Sequence, residues 1–275
     1  MSRINRTMVG GIELIALNDG STAFGNELFP NATDEQIAAL MKGAGVETIE
    51  TCFNAFLIRS GDATILVDAG PRDLFGPTCG FLGEAMAEAG VAADDVTHLF
   101  FTHIHPDHVA GAITPEGQAI FANAEMMVTE PEAAFWAGAD SFTDETLQQW
   151  GQLAGVVTAA YAGRTTQIAM AGEIAPGVSA LPLPGHTPGH VGFRISDGDA
   201  GFLHFGDAVH APALQFADPD ISIVFDIDAD QARAERRKVL DMAAADGLPC
   251  SGGHMLSPTL GRVERRGDGY AFVTS

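Results

Sequence analysis

The chain has 275 residues, 46% hydrophobic and 18% charged, with 36 acids against 14 bases and a formal net charge of -22. This excludes a disordered or fibrous chain and predicts one large layered domain over residues 1–275. The 14 bases supply little for the basic face that nucleic acid needs, and an anionic membrane surface would repel so acidic a chain. Cys52, Cys79 and Cys250 form no C-x-x-C pair, so buried thiols in a reducing compartment are expected. With no signal-peptide core and no membrane-length apolar run, the expected location is the cytoplasm.

Residues 12–17 read as a strand that turns at Asn18-Asp19-Gly20. Thr33 caps a helix to about residue 42, stopped by Gly43 and Gly45. Apolar runs at 53–59 and 63–67 flank a hairpin turn, Ser60-Gly61-Asp62. A loop at Asp68-Ala69-Gly70-Pro71 precedes an amphipathic helix over 81–89, which Gly90 ends. A buried strand, 96–102, then runs into a loop dense in His and Asp. A strand at 124–128 and helices at 130–137 and 144–153 follow. Strands are expected at 167–170, 178–183, 191–195 and 202–205, a helix at 230–245, and late strands at 248–251, 261–265 and 270–273. Many neighbouring strands are joined as hairpins, which disfavours a parallel doubly wound sheet. Two sheets face to face, with helices outside, would bury every apolar strand. The expected class is α+β, a four-layer αβ/βα sandwich.

Four segments carry ligand-type side chains at strand ends. Thr102-His103-Ile104-His105-Pro106-Asp107-His108 holds three His and one Asp within six residues. In extended chain His103 and His105 point the same way, and a turn at Pro106 swings Asp107 and His108 towards a second point. Imidazole and carboxylate suit zinc, iron or manganese, and two pairs of ligands suggest two divalent metal ions. Leu183-Pro184-Gly185-His186-Thr187-Pro188-Gly189-His190 again follows a strand. His186 is favoured there as the ligand, and His190 as a hydrogen-bonding support. Gly206-Asp207 ends an apolar strand with a carboxylate, and Gly252-Gly253-His254 ends a short one with an imidazole. Either alone is an ordinary turn. Four strand ends bringing His or Asp to one edge form a constellation.

Together these motifs resemble the metallo-β-lactamase superfamily over nearly the whole chain. The resemblance implies one metal on His103, His105 and His186, another on Asp107, His108 and His254, and Asp207 bridging them. It also implies that Asp68, in Val67-Asp68-Ala69-Gly70, supports the site without ligating. Having both Asp107 and His108 is similar to the dinuclear hydrolase branches and unlike most true β-lactamases. The acidic composition argues against the RNA-processing branch. A C-terminus of one helix and short strands departs from glyoxalase II-like thioesterases. Acyl-homoserine lactonases carry a Tyr three residues after the bridging Asp, where this chain has His210. The run from Gly206 to His210, residues 215–219 and 225–228, Leu74-Phe75-Gly76-Pro77-Thr78 and the Phe135-Trp136 pair resemble the methyl parathion hydrolase group, whose members include esterases and lactonases.

The implied activity is metal-dependent hydrolysis of a lactone, carboxylic ester or phosphotriester. A hydroxide bridging two divalent ions would attack (Zn2+, with Mn or Fe as alternatives), and catalytic Asp107 would move the proton. No G-x-S-x-G occurs, and no base stands beside the cysteines. Phe75, Trp136 and Phe216 are expected to wall the site and His210 to give a polar contact to a small uncharged substrate. Ordinary core is the competing reading for each aromatic. A homodimer is allowed. A diiron redox or oxygen-binding protein on the same fold, a glyoxalase II-like thioesterase and a binding protein with a degenerate site stay open. The first usually adds a flavin domain, which is not expected here, and all seven filled ligand positions oppose the last.

Overall fold

The apolar runs pair into two seven-stranded mixed sheets in a computed structural model that describes residues 2–256 and 258–274. The first sheet takes its strands in chain order: β1 (Ile4–Val9), β2 (Ile12–Phe24), β3 (Ile49–Ser60), β4 (Ala63–Val67), β5 (His98–Phe100), β6 (Glu125–Thr129) and β7 (Thr165–Ile168). It is antiparallel from β1 to β4 and parallel from β4 to β7. The second holds β8 (Glu173–Ala175), β9 (Val178–Pro182), β10 (Val191–Asp197), β11 (Ala200–His204), β12 (Cys250–Ser251), β13 (Gly261–Arg266) and β14 (Gly269–Thr274), with β11 and β12 its parallel pair.

Period-two alternation explains the layers. On β2, Leu14 and Ala16 turn towards the second sheet, where they join Phe56, Ile65, Phe100, Val191, Phe193 and Phe202 in a buried cluster. Ile15 and Leu17 turn outwards, under helices α2 (Leu82–Ala89), α4 (Glu130–Ala137) and α5 (Glu145–Ala160). On the far side Leu203 and Val263 meet Val239 and Leu240 of α7 (Ala229–Asp246). Both sheets are apolar on both faces, and the result is the expected four-layer αβ/βα sandwich. Three further helices, α1 (Asp34–Ala44), α3 (Pro106–Val109) and α6 (Pro212–Gln215), lie among the loops. Thr33 and Gln36 close a capping box on α1, and Gly45 ends it with a left-handed φ of 72°.

Several expectations need correcting. Asn18-Asp19-Gly20 is no turn: β2 runs on to Phe24 through a bulge between Asn18 and Gly20. The Asp19 carboxylate is buried and accepts from the Leu82 N–H at 2.6 Å, so these polar residues serve a tertiary bond. The polar N-terminal stretch forms edge strand β1, and β8 was not foreseen. The strand expected over 96–102 shortens to His98–Phe100, because the chain leaves the sheet early to enter the histidine-bearing loop. Helix α5 continues past the expected 153 to Ala160.

His204 closes β11 inside the core. Its ring stacks on Phe193 at 4.6 Å and meets Phe56 edge-on at 4.6 Å. Burial pushes its pKa down to about 3. An unfolded His titrates near 6.5, so unfolding takes up a proton at pH values between the two. The stability this group contributes is therefore complete above the unfolded value and falls as pH drops towards the folded one. In metal-stripped protein, His204→Phe should flatten the fall of the urea midpoint between pH 6.5 and 4.5. An unchanged slope would refute this.

Candidate metal centre

Asp68, just past β4, shapes the first histidine loop from a left-handed φ of 59°, a conformation that non-glycine residues rarely adopt. Its carboxylate accepts from the Thr102 N–H at 2.9 Å and the Thr102 hydroxyl at 2.8 Å, and lies 2.9 Å from His108 Nδ1. His105 is the extended residue before α3, and Pro106, in the first turn of that helix, sets the change of direction. His103 and His105 thus face one point, and Asp107 and His108 face another.

The later motifs close on the same place. His103, His105 and His186 bring ligand atoms within 4.8 Å of one another, as do Asp107, His108, Asp207 and His254. Asp207 Oδ2 stands between the groups: 2.8 Å from His254 Nε2, 3.1 Å from His108 Nε2, 3.6 Å from His186 Nε2 and 3.7 Å from His103 Nε2. His190 is set apart. Its Nδ1 donates to the Leu183 carbonyl at 2.7 Å, and its Nε2 accepts from the Asp207 N–H at 2.9 Å, so it holds the backbone of the central carboxylate.

The donor set fits two first-row divalent ions. His103 Nε2 and Asp207 Oδ1 are buried with no hydrogen-bond partner among the described residues. The far ring nitrogens are engaged behind the site: His108 with Asp68, His186 with Asp226 Oδ1 at 2.9 Å, His254 with the Cys52 carbonyl at 2.9 Å, and His103 with the Thr102 hydroxyl at 3.1 Å. Each leaves Nε2 aimed inwards. His105 is turned the other way, with Nδ1 2.9 Å from His186 Nε2.

Charge divides the site. Burial, reinforced by neighbouring histidines, pushes His103, His105 and His186 well below the usual imidazole range, so they are neutral bases. Burial acts the same way on His108 and His254, but Asp207 and Asp107 outweigh it and raise both. Burial opposes ionisation of Asp107 and Asp207, and the charges of His108 and His254 overcome it and hold both carboxyls low. Two carboxylates here demand positive charge, and a bound metal would supply it while displacing those protons.

Beside the donors lies a cleft of about 130 Å3 walled by Phe24, Phe53, Phe75, Trp150 and Phe225. Cavities of about 530 and 320 Å3 lie elsewhere, and neither is lined by any of the ligand set. Phe75 lines the cleft, its ring 5.2 Å from that of Phe53. Trp136 does not line it. It stands behind His105, edge-on at 5.9 Å, and donates its indole N–H to Glu132 at 2.7 Å. Phe216 does not line it either. Following α6, it is buried against Phe205 and Phe272 beneath α7, the core position weighed as its alternative. Trp150 takes the expected place of Trp136, 4.7 Å from His105. His210 faces inward, its Nε2 3.3 Å from Asp207 Oδ2 and its ring stacked on His254 at 4.9 Å.

Glu132 went unnoticed in the sequence. It is fully buried and accepts from the Ile104 N–H at 2.8 Å, the Thr187 hydroxyl at 2.5 Å and the Gly189 N–H at 3.1 Å, besides Trp136. Ile104 lies between two candidate ligands and Thr187 follows a third. One carboxylate therefore clamps both histidine loops.

A four-layer sandwich with a His/Asp cluster able to hold metals at one edge defines the class of protein. A family model described as the metallo-beta-lactamase superfamily matches residues 54–254, and the chain belongs to that superfamily. It is 29% identical over 155 residues to the uncharacterized protein YobT of Bacillus subtilis (strain 168), covering 56% of this chain and 61% of that one. It is 29% identical over 136 residues to the probable metallo-hydrolase Rv2300c of Mycobacterium tuberculosis (strain ATCC 25618 / H37Rv), covering 45% of this chain and 40% of that one. The chain thus matches less than two thirds of either relative's length. Among solved structures it is similar to AidC, a dizinc quorum-quenching lactonase in complex with a product (TM-score 0.92, 25% identity, 100% of this chain and 98% of that one). It is also similar to AbOPH, a hydrolase in the beta lactamase superfamily (TM-score 0.91, 26% identity, 99% and 97%).

Proposed function

We propose that this protein is a metal-dependent hydrolase cleaving an ester-type bond, a lactone, carboxylic ester or phosphotriester, in a small uncharged substrate. The observation that carries this is the meeting of two donor groups on Asp207 at the floor of an aromatic cleft. His103, His105 and His186 would hold one ion and Asp107, His108 and His254 the other, with Asp207 shared. Zinc is the first choice, and manganese or iron the alternatives. When bound, such ions lower the pKa of water and polarise the oxygen under attack. The aromatic walls exclude water and take the apolar part of the substrate. Asp107, 16% exposed and facing the cleft, moves the proton. Similarity to a dizinc lactonase supports a lactone among the substrates. The buried thiols of Cys52, Cys79 and Cys250 support a reducing compartment. No helix among the described residues is long and apolar enough to cross a membrane.

The test is metal-replete protein on a panel of lactones, aryl esters and phosphotriesters. Bound metal without turnover of any of them would end this reading. His210 gives a finer one. It lines the cleft with Nδ1 lacking a hydrogen-bond partner among the described residues and Nε2 3.3 Å from Asp207 Oδ2, and in this reading it contacts substrate. His210→Ala should keep full metal content and change the lactone to aryl-ester rate ratio roughly tenfold, the scale of one hydrogen bond. Loss of one metal equivalent would make His210 a ligand, and an unchanged ratio would make it structural.

A further inference from the structure

Each group of candidate ligands contains one histidine backed by a buried carboxylate. In one it is His108, on Asp68; in the other it is His186, whose Nδ1 lies 2.9 Å from Asp226 Oδ1. Asp226 is itself held. Its side chain is fully buried, and Oδ2 faces Arg236 Nη2 at 3.7 Å. Arg236, on α7, is also fully buried. It donates from Nε to the Ala208 carbonyl, and from Nη1 to the carbonyls of Pro219 at 3.0 Å and Ile221 at 2.8 Å. One guanidinium therefore joins the segment next to Asp207 to the loop that carries Asp226. That loop is also bonded to the histidine loop, through Ile227 N–H to the His186 carbonyl at 3.0 Å and Asp228 N–H to the Gly185 carbonyl at 2.9 Å. Phe225, one residue before Asp226, lines the cleft.

We propose that Asp226, which accepts from the Ile223 N–H at 3.4 Å and has the buried Arg236 charge 3.7 Å behind it, is the positioning residue for His186. A carboxylate can only accept a hydrogen bond, so Nδ1 carries the ring proton and Nε2 keeps its lone pair towards Asp207 and His105. The negative charge behind the ring also strengthens Nε2 as a metal ligand. Because Phe225 and Asp226 are adjacent, one loop sets both the cleft wall and a ligand of one metal. The inference rests on the dinuclear reading of the site.

Zinc-loaded wild type, Asp226→Ala and Asp226→Asn are challenged with a chelator, and zinc release is followed in time. In Asp226→Ala one of two equivalents should leave roughly 10–100-fold sooner, with the other at the wild-type rate. Asp226→Asn, whose amide oxygen can still accept from Nδ1, should fall between the two. Both equivalents leaving at wild-type rates would overturn the proposal. So would equal acceleration of both, which would mean that Asp226 merely holds its loop. If Asp226→Ala fails to fold because Arg236 loses its buried counter-charge, the near-isosteric Asp226→Asn decides alone: selective early release supports the role, and unchanged release of both overturns it. A wild type that takes up no zinc would remove the dinuclear reading itself, a result distinct from any of these.

Discussion

Asp207→Ala should lose both metals, where loss of any other ligand should cost at most one. The reason is position. Asp207 Oδ2 lies within 3.7 Å of Nε2 atoms from both groups of ligands, and its Oδ1 has no other partner among the described residues. Wild type purified without chelator should carry nearly two equivalents by elemental analysis, and the variant well below one. Turnover should fall on the order of 10⁴-fold, about 5.5 kcal/mol in the barrier. The fold should survive, because the sandwich core lies between the sheets and the site lies at their edge. A wild type saturating at one equivalent, or a variant retaining two, would remove the dinuclear mechanism.

How much of this site is readable in the chain depends on how local each device is. His103, His105, Asp107 and His108 stand in one short run with Pro106, so extended geometry and one turn already divide them between two points. His186, Asp207 and His254 announce themselves through glycine-rich strand ends. Their supports do not. Glu132 acts on groups 28 and 57 residues away, and Asp226 on one 40 residues away. No spacing rule connects such positions. Arg236 sits among Arg233, Arg237 and Lys238 and reads as one more exposed helix charge, whereas the fold buries it completely. Trp150 is spaced like a helical core residue. Phe75 and Phe216 were assigned alike from their segments, and tertiary packing sent one to the cleft and the other to the core. At Asp19 the residues that favour a turn build a bulge in β2, because bulges and turns favour the same residues.

Asp107→Asn should lower turnover by roughly 10²–10⁴-fold with little change in KM. The two carboxylates at the centre are not equivalent. Asp207 has 1% of its side chain exposed and is hemmed in by imidazoles, while Asp107 has 16% exposed and lines the cleft. Of the two carboxylates, both of which line the cleft, Asp107 is the more exposed and so the better placed to meet a substrate's leaving oxygen. Its Oδ2 is 3.5 Å from Nε2 of both His108 and His254, whose charges overcome the effect of burial and hold its carboxyl well below the usual range. A group that ionised readily takes a proton only in passing, which suits a carrier from attacking water to departing oxygen better than a standing acid. Asparagine keeps the size and one neutral oxygen but cannot take that proton. The loss should then depend on the substrate. Nitrophenyl esters, whose leaving groups need little protonation, should suffer least, and alkyl esters and lactones most. Elemental analysis of the same preparations should still show two equivalents. An equal loss across the leaving-group series, or one that tracks metal content, would show that Asp107 serves only to hold metal.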